Sequence, residues 1–114
     1  MTSEKLTVAT SVAERHGPAL FLSQLTEPPH VAAVKSKKEI AHMHASDGSL
    51  HMSLSPKDAK LVLERGWGQR HGLSGRVLYA GFVMVYAPRD EGEAKVVEGL
   101  LRGSVRFMVG EEIL

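Results

Sequence analysis

The fold turns on one stretch, Glu39-Ile40-Ala41-His42-Met43-His44-Ala45-Ser46-Asp47-Gly48-Ser49-Leu50-His51-Met52-Ser53-Leu54-Ser55. Two runs, residues 39–45 and 50–55, flank Ser46-Asp47-Gly48-Ser49. Asp-Gly is a two-residue hairpin signal, because both central positions of that tight turn need positive φ. The turn predicts that Ser46 pairs with Ser49, Ala45 with Leu50, His44 with His51, Met43 with Met52 and His42 with Ser53. Side chains alternate along a strand, so Ala41, Met43, Ala45, Leu50, Met52 and Leu54 should face a core. The other face then carries Ile40, His42, His44, His51 and Ser53, with Glu39 on the core parity. His44 and His51 would oppose each other with β-carbons ~5 Å apart, and His42 would lie one diagonal step away.

Moving toward the C-terminus, Ser55-Pro56-Lys57-Asp58 predicts a helix start. Ser55 can cap, proline suits the first turn, and Asp58 complements the helix dipole. Ala59, Val62 and Leu63 supply an apolar face, and Gly66 a stop. Gly66-Trp67-Gly68-Gln69-Arg70-His71-Gly72 reads as a polar loop, and the apolar run from Val77 to Ala87 as a buried strand. Pro88-Arg89-Asp90 leads into a second helix, where Asp90 and Glu93 have capping-box spacing. Ala94, Val97, Leu101, Val105 and Met108 form its apolar stripe.

The N-terminal side is less regular. Leu6, Val8 and Val12 alternate loosely, Gly17-Pro18 marks a turn, and Ala19-Leu20-Phe21-Leu22 reads as a short buried strand. Glu27-Pro28-Pro29-His30 is a loop, and the basic run Lys35 to Lys38 the solvated start of a strand. The elements add up to one α+β domain over residues 1–114. It is a small antiparallel β-sheet with a central β-hairpin and two main helices packed on one face.

Composition removes several function classes. Fourteen basic against thirteen acidic residues leave a net charge of +1, and aromatics make up 5%. Nucleic acid would find neither a basic footprint nor stacking platforms. With no cysteine, disulfides, thiolate catalysis and Cys-held metals are excluded. The longest nearly apolar run falls far short of the ~20 residues of a spanning helix. The expectation is a soluble, cytoplasmic protein with a small-molecule substrate, no nucleic-acid partner and no membrane.

Three histidines on one strand face call for a reason, since a water-facing strand more often carries Lys, Glu and Thr. Three readings are open. The histidines form a polar structural face; or they ligate zinc or ferrous iron; or they make a metal-free acid/base and substrate site. The third is preferred, because no carboxylate is expected on that face.

Beyond the hairpin the motifs look familiar. Lys38-Glu39-Ile40-Ala41-His42-Met43-His44, Gly66-Trp67-Gly68-Gln69-Arg70-His71 and Tyr86-Ala87-Pro88-Arg89 are together similar to the fungal luciferases. The likeness runs in order from Lys35 to the C-terminus. It departs at Gly72, where the family has proline, at the shorter segment Arg76 to Gly81, and in lacking the family's longer N-terminal region with its spanning helix. The resemblance implies an oxygenase acting on 3-hydroxyhispidin, a styryl-pyrone. O2 adds to give an endoperoxide that loses CO2 and leaves an excited product, with no flavin or nicotinamide. On that reading His42, His44, His51 and His71 are catalytic. His42 or His44 removes the enol proton, and His51 and His71 orient the substrate or hold oxyanions. Trp67, Gln69, Arg70, Tyr86 and Arg89 bind substrate, with Trp67 and Tyr86 bounding a planar ligand. No cofactor is expected, O2 being the co-substrate, and a metal on the histidines stays an alternative, as does a non-catalytic binding domain.

Overall fold

The structure, a computed structural model, describes residues 5–11, 17–23, 26–44, 46–70 and 79–110. In chain order the elements are β1 (Leu6–Thr10), β2 (Pro18–Leu22), α1 (Val31–Lys35), β3 (Glu39–Met43), β4 (Leu50–Ser53), α2 (Pro56–Arg65), β5 (Gly68–Arg70), β6 (Phe82–Val85) and α3 (Glu91–Val109). The strands form one antiparallel sheet in the order β1-β2-β3-β4-β6-β5. The α+β class and the central hairpin are as expected from the sequence.

Local signals set both long helices. Ser55 caps α2 by accepting from the Asp58 amide, Pro56 opens the helix, and Gly66 closes it at φ 73°. Asp90 caps α3 by accepting from the Glu93 amide at 2.8 Å. The capping box is altered, because the Glu93 carboxylate takes the Arg89 amide and guanidinium instead of reaching the Asp90 amide. α3 lies across β3 and β4, and α2 against β5 and β6. Between them and the sheet, Leu54, Val62, Val83, Val85, Val105 and Met108 are fully buried. Each such side chain contributes roughly 1.5–3 kcal/mol relative to exposure. The stripe on α3 is turned slightly from the expected one. Ala94 is exposed, whereas Leu100, Ser104 and Val109 are buried.

From Ala41 onward the hairpin keeps its faces but shifts its register. Ala41 pairs with Met52, His42 with His51, and Met43 with Leu50. The His44 amide donates to the Ser49 carbonyl, and the Gly48 amide to the His44 carbonyl. The connection is therefore four residues long, and among its described residues only Gly48 has positive φ. Asp47 explains the change: its side chain accepts from the Ser49 amide at 2.9 Å and the Ser49 hydroxyl at 2.7 Å, a local turn that uses Asp differently from a tight Asp-Gly turn. A shift of two residues preserves parity, so the histidines stay on one face.

Other expectations need correction. Met43, expected in the core, is 62% exposed, one row past the buried pair Ala41 and Met52. Of the strand expected over Val77 to Ala87, Val77 and Leu78 lie outside the described residues, and among the described ones it covers Phe82–Val85, because Tyr79 to Gly81 turn, with the Phe82 amide donating to the Tyr79 carbonyl. The basic run is no strand start. It ends the short helix α1, and Lys37 and Lys38 carry positive φ into β3. His30 caps α1 through Nδ1 and reaches the Phe107 carbonyl through Nε2, tying α1 to the end of α3.

Candidate functional site

β3 and β4 bring His42 and His51 directly opposite each other, and His44 follows His42 by two residues on the same face. The His42 and His51 rings are 4.8 Å apart, His44 and His51 4.5 Å, and His42 and His44 5.6 Å. Phe82, from β6, packs against both His42 and His51. His42 and His51 are buried, and His44 is half-buried. One nitrogen from each of the three lies within 4.8 Å of the others.

A carboxylate belongs to this cluster, contrary to the parity argument. Glu39 Oε2 lies 2.7 Å from His42 Nδ1, with Glu39 only 1% exposed. The cause is an irregularity between β2 and β3. Leu20 pairs with Ala41 but Phe21 with Glu39, so Ile40 is an extra residue on β3. A bulge of this kind reverses alternation on one side of it. Ile40 joins the core cluster beside Ala41, and Glu39 turns to the histidine face. Ser11, just past β1, donates its hydroxyl to the same Glu39 oxygen at 2.8 Å. Ser53 donates to the Glu39 carbonyl, and Ser104 of α3 donates to the Ser53 carbonyl at 2.6 Å. The bulge is thus clamped from the sheet and from the helix.

The hydrogen bonds define a line of groups. With Glu39 ionised, His42 donates through Nδ1, and its Nε2 accepts from His51 Nδ1 at 3.0 Å. A carboxylate behind an imidazole fixes its tautomer and raises its basicity. Such a line can hold a proton, a developing oxyanion or a cation at its outer end.

The expected substrate residues gather elsewhere. Trp67, Tyr86 and Arg89 line a cleft of about 410 Å³ together with Arg65, Pro88 and Val97, and none of the described residues lining it is a histidine. Gln69 lies outside the cleft, and the Tyr86 hydroxyl donates to its Oε1 at 3.4 Å. Arg70 is exposed and does not line the cleft. Arg89 is already engaged by Glu93 through three contacts of 2.6 to 3.1 Å. Hydrogen bonding to Glu93 raises the Arg89 pKa further, and the same contact lowers that of Glu93. An anion seeking Arg89 must displace that carboxylate. His71 lies outside the described residues.

One strand, β6, leads from the cluster to the cleft wall. Tyr86 follows Met84 on β6, and Met84 pairs with His51. By strand geometry the Tyr86 and His51 α-carbons are about 8 Å apart. Among the described residues no helix is long and apolar enough to cross a membrane.

Fold and site together define a small α+β domain with a carboxylate-backed imidazole cluster and an aromatic cleft. The Luciferase domain family model matches residues 37–104. The luciferase of Neonothopanus nambi is 38% identical over 120 residues, which cover 96% of this chain and 45% of that protein. The luciferases of Armillaria gallica and Armillaria mellea are each 36% identical over 115 residues, covering 91% of this chain and 43% of theirs. The chain belongs to the luciferase-domain family. It spans a little under half the length of the curated relatives it matches. No solved structure matches it significantly.

Proposed function

We propose that this chain carries a luciferase-like oxygenase activity, adding O2 to 3-hydroxyhispidin or a related hydroxypyrone at the histidine cluster. The observation that carries the reading is the buried line Glu39–His42–His51 with His44 beside it, in a chain of this family. Oxygenation of an enol starts from its anion, because the neutral enol gives up an electron to O2 far less readily. Imidazoles backed by a buried carboxylate favour the anion over the enol. The enolate carbon forms the new bond to O2, an endoperoxide closes, and the O–O bond breaks as CO2 leaves. Both oxidising equivalents come from O2, so no flavin or nicotinamide is required. The Trp67 and Tyr86 walls support a planar substrate, with its aryl arm in the cleft and its pyrone toward His51.

Oxygen consumption by the purified chain with 3-hydroxyhispidin tests this, with or without light. Uptake that disappears in His51→Ala supports the reading, and no uptake at high protein concentration ends it. The cleft favours one second reading, a binding domain without catalysis, because its described lining contains no histidine. That reading predicts ligand binding beside Trp67 with no oxygen consumed.

A further inference from the structure

We propose that His42, His44 and His51 form a binding site for one divalent first-row transition ion, with zinc as the reference, and that Glu39 positions His42 for it. The ion's use in catalysis rests on the reading above; its binding does not.

The geometry supplies the first argument. One nitrogen from each histidine lies within 4.8 Å of the others, and His42 Nε2 and His51 Nδ1 are 3.0 Å apart. Two imidazoles on one tetrahedral ion, with bonds of ~2.0–2.1 Å, stand ~3.3–3.4 Å apart. That pair therefore needs only a small opening. His44, half-buried and just before the four-residue connection, supplies the third nitrogen within that 4.8 Å. All three donors are neutral nitrogens, a set that suits zinc, iron, nickel or copper over magnesium or calcium.

The second argument is Glu39. A metal-bound histidine almost always gives its other ring N–H to a carboxylate or a carbonyl, which fixes ring and tautomer. His42 Nδ1 is held in this way by Glu39, which Ser11 holds in turn, leaving Nε2 directed at the cluster. The expectation against a metal rested on having no carboxylate on this face, and the bulge at Ile40 removes that objection. A buried carboxylate also makes this a place where added positive charge is favoured. With three protein ligands the ion keeps a position for a further oxygen. A hydroxypyrone, with its enol oxygen next to a carbonyl, is a bidentate oxygen donor of the kind such an ion holds as the anion.

The test uses the whole chain, stripped with a chelator and titrated with Zn²⁺ against a fluorescent competitor, and with Co²⁺ by visible absorption. One equivalent of each should bind, with a Co²⁺ spectrum of low coordination number. Glu39→Gln should weaken Zn²⁺ binding ~10–100-fold and change the Co²⁺ bands, as expected of a residue acting through His42. His42→Ala and His51→Ala should abolish saturable binding, and Lys57→Ala should leave it unchanged. His44→Ala, at a half-buried position, covers the case in which a buried variant fails to fold. No saturable uptake of Zn²⁺, Co²⁺ or Fe²⁺ by folded protein overturns the proposal, as does binding that survives loss of both His42 and His51. Oxygen uptake by fully stripped protein overturns the ion's role in catalysis and leaves the oxygenase reading standing. One tightly held ion with no oxygen uptake supports the site and removes that reading.

Discussion

Glu39 and His42 stand three residues apart on one strand, where alternation assigns them opposite faces, yet Glu39 Oε2 lies 2.7 Å from His42 Nδ1. The bulge at Ile40 makes the contact, and it ties the chemistry of the site to the pairing of β2 with β3. Anything that slips this register separates the carboxylate from the imidazole without touching either residue.

The first prediction separates the charge of Glu39 from its packing. Glu39→Gln keeps shape and hydrogen-bonding capacity but removes the charge, so the fold should persist while oxygen uptake falls at least tenfold. Glu39→Ala should also destabilise, because it removes the acceptor that the Ser11 hydroxyl and a buried imidazole N–H use. Losing one partner of a buried hydrogen bond costs about 1–3 kcal/mol. Urea unfolding of the two variants checks this, and equal loss of stability in both would show that Glu39 is there for its charge in folding.

A second prediction concerns acid. The Ser49 hydroxyl, then its amide, hold the Asp47 carboxyl below the usual carboxylate range, and nearby His44 adds to the effect. A depressed folded-state pKa gives stabilisation that is present above the unfolded value and lost as pH falls through the folded one. The four-residue connection should therefore loosen only at strongly acid pH. Asp47→Asn keeps the acceptor for Ser49 and should remove this dependence. Titration of the Asp47 carboxyl and the Ser49 amide by NMR reads both, and an Asp47 midpoint at or above the usual range would contradict the turn described.

How much of this was readable in advance depends on how local each cause is. The caps of α2 and α3 are short-range, so Ser55, Pro56, Gly66 and Asp90 announced them. The histidine face survived an error in the turn because the register moved by two, an even number. Glu39 was misplaced because a bulge is decided by a strand twenty residues away, and the repetition of types along β3 carries no mark of it. Ser11 was invisible for the same reason, being 28 residues from the carboxylate it holds. The short helix α1 has a histidine as its cap and two β-branched residues among five, signals too weak to outweigh the adjacent lysines and prolines.

The third prediction explains a glycine in the Gly-Trp-Gly motif. A β-carbon at Gly68 would run into the Met84 carbonyl oxygen and press on Val62 Cγ1. The first is backbone of the neighbouring strand, so β5 would have to leave β6. Gly68→Ala should cost roughly 1–3 kcal/mol or more and lower the melting temperature, whereas Gly99→Ala, which meets nothing, should not. Unchanged melting of Gly68→Ala would mean that β5 is not paired as described.

The last prediction divides binding from chemistry. Trp67 is the chain's sole tryptophan and it lines the cleft, so intrinsic fluorescence reports occupancy there without a label. If the cleft holds the substrate's aryl arm and the cluster acts on its pyrone, the two groups of variants should fail differently. Trp67→Leu and Tyr86→Leu remove contacts made equally before and during reaction, so KM should rise while kcat changes little. His51→Ala should lower kcat by ~10²–10⁴-fold and leave pyrone-induced quenching of Trp67 nearly intact. Glu93→Gln gives a finer control: it removes the carboxylate charge that engages Arg89 and leaves only one acceptor oxygen, so an anionic pyrone should bind more tightly, not less. Fluorescence titration with the pyrone and steady-state oxygen uptake measure the two sides independently. Quenching lost in His51→Ala together with activity would place the whole ligand at the histidines and leave the cleft with no part in binding it.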